Sequence, residues 1–127
     1  MTVDQDRGRA DLAGGVGRAI AFWGPGIALI GLTGPLGGWP RAAGWTIGLL
    51  WLSAMCFWNY ARCRRLHCIF TGPFFLAMAV TALLAGAGLM PFHPFGWSLL
   101  GDAICVGGAV LCFGPELIWG RYQSPKS

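Results

Sequence analysis

Four long apolar runs, broken by short polar stretches, set the pattern of the chain; they fall at about 19–39, 43–60, 71–91 and 96–118. As α-helices rising 1.5 Å per residue, runs of this size match a hydrocarbon core roughly 30 Å thick. Helices are the expected form, because an isolated strand in lipid would leave its amide groups without partners. The links between runs are short, so successive helices should be antiparallel. The pattern therefore predicts an all-α membrane protein, a four-transmembrane-helix up-and-down bundle over 19–118. An N-terminal arm (1–18), a central polar loop (61–70) and a C-terminal tail (119–127) complete it.

Composition agrees with lipid as the solvent. Of the 127 residues, 55% are hydrophobic and 11% charged, and the mean hydropathy is +0.58. Those are not the figures of a water-soluble fold. The net charge of +4 is spread over short segments between apolar runs, which speaks for topology and against a nucleic-acid partner. Five cysteines, an odd number lying in or beside apolar runs, predict free thiols and no structural disulfide. Arg18 ahead of an apolar run also fits a signal peptide, but no small-x-small cleavage site follows it, and an uncleaved helix is expected.

The basic residues orient the bundle. With four spans, the arm, the central loop and the tail share one side and hold Arg7, Arg9, Arg18, Arg62, Arg64, Arg65, Arg121 and Lys126, while the other side has Arg41 alone. By the positive-inside rule both termini are cytoplasmic and the membrane is the cell's inner (plasma) membrane. Trp23, Trp58 and Trp119 would then lie near the inner boundary and Trp39, Trp45 and Trp97 near the outer one, with Trp51 packing mid-membrane. Pro25 and Pro35 predict a kink and fraying in the first span. Gly86, Gly88, Gly107 and Gly108 are candidates for close helix packing. Thr71 is read as the N-cap of the third helix, with Pro73 in its first turn.

Candidate chemistry concentrates between Asn59 and Pro73, which holds Arg62, Arg64 and Arg65 beside Cys63, His67 and Cys68. If the second helix continues, Cys63 and His67 share a face at a spacing of four, and Cys56 lies two turns further up it. Cys105 and Cys112 repeat that separation of seven in the fourth span, so a path of thiols through the bundle is expected. The arginines favour thiolate, the form that binds soft metals, and thiolate with imidazole suits Zn(II), Cu(I) or Hg(II). A two- or three-coordinate ion passed by thiol exchange fits better than four-coordinate zinc. The plainer alternative is that the cysteines are small apolar core residues and the arginines only set topology.

The remaining polar residues add less. Asp102 in the fourth span is either a point of admission for a cation or a polar anchor bonded to Ser98 or Thr46, and Glu116 is expected to pair with Arg121 at the surface. His93, between Pro91 and Pro94, either collects a metal ion or belongs to a rigid turn. Phosphate loops, a zinc-protease helix and paired catalytic carboxylates are missing, so no enzyme and no resident cofactor are expected.

The residues Asn59, Arg62, Cys63, Arg65, His67, Cys68, Thr71, Gly72 and Pro73 form an N-x-x-R-C-x-R-x-H-C-x-x-T-G-P stretch that resembles one in small prokaryotic multi-pass membrane proteins. In overall plan the chain is similar to the mercuric-ion permeases of mercury-resistance operons, although it lacks their vicinal Cys-Cys pair. The resemblance implies a protein that binds or transports a soft metal ion. The alternative is a non-transporting accessory or assembly subunit of a larger membrane complex; a homo-oligomer is compatible with either.

Overall fold

The computed structural model describes residues 15–64, 66–89 and 96–120, apart from the side chain of Cys63. All regular structure among them is helical: α1 (Val16–Thr33), a 3₁₀ turn (Gly34–Leu36), α2 (Gly38–Cys63), α3 (Leu66–Gly86) and α4 (Gly96–Trp119). Three of these segments are long and apolar enough to cross a membrane: Val16–Leu36, Leu66–Gly86 and Gly96–Trp119. The 26-residue α2 is not among them, since it carries Arg41, Ser53, Asn59 and Arg62 among its apolar residues. Its place in the fold accounts for this composition. It lies between α1 and α3, so much of its surface faces protein and need not be lipophilic.

The helices form an antiparallel row in chain order, α1 on α2, α2 on α3 and α3 on α4. Residue pairing shows the alternation. Gly26 of α1 meets Gly48 of α2 while Thr33 meets Gly44. Ala42 at the start of α2 meets Gly86 at the end of α3, whereas Cys56 near the end of α2 meets Thr71 near the start of α3. Phe74 and Phe75 of α3 pack against Gly107 and Gly108 of α4.

Small residues set the closest approach. A Cβ on Gly48 would come within 2.8 Å of the Gly26 carbonyl oxygen, so α1 and α2 cross with backbone against backbone. Gly86 and Gly107 meet the predicted packing role, against Ala42 and Phe74, while a Cβ on Gly108 would find ordinary contact at 3.6 Å. Gly88 serves the chain differently, with a φ of 75° just beyond α3, where the left-handed conformation favours glycine.

The prolines are placed as their chemistry requires only in part. Pro25 lies inside α1, where it has no N–H to give Ala21, and the Trp51 indole donates to the neighbouring Phe22 carbonyl at 3.0 Å, tying α2 to this turn. Beyond Thr33 the α-helix gives way to the 3₁₀ turn carrying Pro35, as its ring demands. Arg41 closes that corner. Its Nε donates to the Gly34 carbonyl at 2.6 Å, and its guanidinium lies 5.4 Å from the centre of the Trp97 ring.

At the opposite end the sequence expectation is corrected. The third helix starts at Leu66, not Thr71, so Thr71 and Pro73 lie within it rather than at its cap. Thr71 Oγ1 donates back to the His67 carbonyl at 2.9 Å, a bond available only inside a helix. The stretch 61–70 is therefore mostly helix, α2 running to Cys63 and α3 beginning at Leu66. Arg64 makes the turn in the left-handed region at φ 58°, ψ 37°, its N–H bonded to the Tyr60 carbonyl at 2.9 Å. A β-carbon there costs roughly 1–2 kcal/mol. The guanidinium 5.2 Å from the centre of the Tyr60 ring offsets part of that cost.

Candidate functional site

The turn at Arg64 brings the end of α2 and the start of α3 side by side, and polar side chains of both helices meet there in the core. Asn59, His67 and Thr71 are 0%, 4% and 0% exposed, and Cys56 and Cys68 are fully buried. Groups so enclosed need partners, and here they satisfy one another. Asn59 Nδ2 reaches Cys68 Sγ at 3.7 Å, Cys68 Sγ lies 3.4 Å from His67 Nε2, and His67 Nδ1 lies 2.7 Å from Glu116 Oε1 on α4. With the imidazole neutral, every link has a donor and an acceptor: amide to sulfur, thiol to Nε2, and Nδ1–H to carboxylate. A second branch runs from Thr71 Oγ1 to Cys56 Sγ at 3.3 Å. Ser53, one turn before Cys56, donates to the Gly72 carbonyl at 2.8 Å.

Aromatic rings hold the imidazole. Trp23 of α1 lies nearly parallel to it, 27° between planes and 6.3 Å between centres, and meets Phe75 edge-on at 6.0 Å. On the far side Phe70 stacks on Trp119, fastening the end of α4 to the start of α3. The backbones of α1 and α4 do not approach each other, which leaves a cleft of about 480 Å³ between them. Ile27 and Ile30 form one wall, Ile104 and Phe113 the other, and Leu52 and Phe75 lie at its base. His67 and Glu116 close it at the end where α3 begins, and Cys105 and Cys112 also line it.

The candidate residues thus divide. Cys56, His67 and Cys68 come together in the core, whereas Cys105, exposed, and Cys112, half-buried, stand in the cleft. Cys63 and His67 do not share a helix face, because α2 stops at Cys63 and the chain turns at Arg64. The side chain of Cys63, and all of Arg65, His93 and Arg121, lie outside the described residues. Arg62 and Arg64 are exposed. Asp102 is exposed on α4 and does not anchor Thr46, whose buried Oγ1 has no hydrogen-bond partner. Among the described residues no group of three or more His, Cys, Asp or Glu side chains is arranged around a metal position.

Sequence reasoning missed two kinds of participant. Glu116 was assigned to the surface, yet it is 16% exposed at its side chain and bonded to a histidine 49 residues earlier. Its position within an apolar helix was the available signal, since a carboxylate there needs a partner. Asn59, Thr71 and Ser53 are polar residues inside helices whose bonds pass between neighbours, and the same reasoning applies to them.

Fold and site together define an all-helical chain with three helices fit to cross a membrane and a buried thiol–imidazole–carboxylate cluster joining three of its four helices. No family model, no curated protein and no solved structure matches the chain.

Proposed function

We propose that the protein is a four-span bundle of the inner (plasma) membrane, with both termini in the cytoplasm, that binds and passes a soft metal ion of the Hg(II) or Cu(I) type. The topology rests on the sequence asymmetry of basic residues and on the antiparallel row. At about 39 Å, α2 is long enough to cross beside its neighbours despite its lower hydropathy. The arm, the α2–α3 turn and the tail then share the cytoplasmic side.

One observation carries the metal reading: two buried thiols belong to one cluster on the facing ends of α2 and α3, Cys56 Sγ 3.3 Å from Thr71 Oγ1 and Cys68 Sγ 3.4 Å from His67 Nε2. A thiol beside an imidazole is a donor pair suited to a soft ion that accepts two-coordinate binding. Glu116 holds the ring through Nδ1, the outer-shell contact that orients a ligating histidine. The flanking thiols of the cleft provide places from which an ion moves by exchange. A soft cation would displace the thiol protons and convert the cluster from hydrogen-bonded to metal-bound.

The same cluster is a fully partnered clasp between α2, α3 and α4, and this favours a second reading, a non-transporting accessory subunit of a larger membrane complex. Equilibrium binding of Hg(II) and Cu(I) to purified protein, beside a Cys56→Ser, Cys68→Ser variant, separates the two. Stoichiometric binding lost in the variant, together with lower metal accumulation in cells expressing it, supports metal handling. Absence of binding in the wild type, with a stoichiometric membrane partner co-purifying, supports the subunit.

A further inference from the structure

The cleft between α1 and α4 changes character along its length. From Ile104 to Glu116 it follows α4 for roughly 18 Å, at 1.5 Å of rise per residue. Ile27, Ile30 and Ile104 wall its deeper part, and Trp23, His67 and Glu116 gather at the end where α3 begins and α4 finishes. Ile27 and Phe113 on its rims are 56% and 67% exposed, so in a bilayer the opening faces lipid. The passage from apolar to polar lining then runs as the membrane does, from hydrocarbon to interface.

The polar end attracts positive charge. His67 Nδ1 lies 2.7 Å from a Glu116 oxygen, and a neutral imidazole donating there leaves the negative charge of the carboxylate in place. The Trp23 ring stacks on the same imidazole, 6.3 Å between centres, and an indole face is the best aromatic partner for a cation. An inorganic ion would answer the carboxylate but not the apolar walls, and a neutral apolar molecule would answer the walls but not the carboxylate. A ligand that answers both carries a cationic head on an apolar body. The volume of about 480 Å³ lies within the roughly 300–1,000 Å³ of small-molecule sites.

We propose that this cleft binds slender lipophilic organic monocations, quaternary or protonated amines on an aromatic or alkyl body, which enter from the bilayer with the charged head toward Glu116 and Trp23. The body lies along the isoleucines. No thiol takes part, so this site and the soft-metal reading stand or fall separately. A zwitterionic diacyl lipid matches the cleft less well, because its phosphate would come close to the Glu116 carboxylate.

The test uses the whole chain in dodecyl maltoside micelles, whose headgroup is uncharged, with empty micelles as the blank. Two probes are titrated: a dimethylaminostyryl N-methylpyridinium dye, a rod-shaped fluorescent monocation, and the same dimethylaminostyryl pyridine without the N-methyl group, at a pH that keeps it neutral. The wild type should bind one cationic dye per chain, saturably and at least tenfold more tightly than the neutral rod. Glu116→Gln, which keeps an acceptor for His67, should weaken the cation at least tenfold and the neutral rod less than twofold. Trp23→Leu should weaken the cation about threefold or more. Ala109→Trp fills the cleft and should weaken both probes at least tenfold, while Val110→Trp, outside the lining and 59% exposed on α4, should change neither. Equal affinity for the two probes, or cation binding untouched by Glu116→Gln, overturns the inference. Displacement of the dye by an equimolar amount of phosphatidylethanolamine also overturns it, by assigning the cleft to lipid. Should Ala109→Trp fail to fold, the comparison of the two probes on Glu116→Gln decides alone.

Discussion

The crossing of α1 and α2 makes a prediction whose sign depends on geometry alone. Replacing a helical glycine by alanine gains roughly 1 kcal/mol of intrinsic helix propensity. At Gly31 the added methyl meets nothing within 4 Å, so Gly31→Ala should keep that gain. At Gly48 the same methyl would stand 2.8 Å from the Gly26 carbonyl oxygen and 2.8 Å from Ile30 Cγ1. The oxygen belongs to a helix backbone and cannot rotate away, so the helices must part along their length. Overpacking of this kind costs about 1–3 kcal/mol. Set against the propensity gain, Gly48→Ala should be neutral to about 2 kcal/mol destabilising, and it should fall below Gly31→Ala by about 1–3 kcal/mol. Gly26→Ala should behave like Gly48→Ala, since its methyl would approach Gly48 O and Leu52 Cγ at 2.8 Å each. Reversible unfolding in mixed detergent–SDS micelles, followed by tryptophan fluorescence, measures all three. A Gly48→Ala protein as stable as Gly31→Ala would refute the proposed backbone-to-backbone approach.

Other consequences can be measured in the same micelles. Glu116→Ala removes the acceptor of a nearly buried imidazole N–H and should cost about 1–3 kcal/mol, whereas Glu116→Gln keeps an acceptor oxygen and should recover at least half of the loss; equal losses would contradict the bond. Trp51→Phe keeps the ring but not the indole donor to the Phe22 carbonyl, and a destabilisation of about 0.5–1.5 kcal/mol is expected. Cys105, exposed, should react with a lipid-soluble maleimide at least tenfold faster than Cys56 and Cys68, which are buried; mass-spectrometric time courses would reveal the reverse order if the cluster is open.

The helical class and the antiparallel order were legible in the sequence because apolar runs of this length have one solution in lipid. So was the gathering of function between Asn59 and Pro73, although its form was not. Three arginines in a short stretch suggested a loop, and the loop reading placed His67 and Cys68 at a surface. The structure keeps Arg62 and Arg64 outside and turns His67 and Cys68 inward, which a helix starting at Leu66 permits and a cap at Thr71 does not. Pro73 misled for a related reason, since a proline in a helix interior is costly in water but tolerated where neighbouring groups take up the freed carbonyls. The pairing of His67 with Glu116 joins residues 49 apart in the chain, and no local spacing encodes it.

The middle position of α2 bears on how the chain enters a bilayer. A segment whose serine and asparagine find their partners on the helix that follows, and whose indole finds its acceptor on the one before, is poorly suited to leave a translocon alone. Its insertion should be coupled to that of α1 or α3 as a hairpin, and a nascent chain halted after Arg64 would present Ser53 and Asn59 without Gly72 and Cys68. In the proposed four-span bundle, completion of α3 is then the step that commits α2 to lipid, and the polar contacts that bind the finished helices also time their assembly.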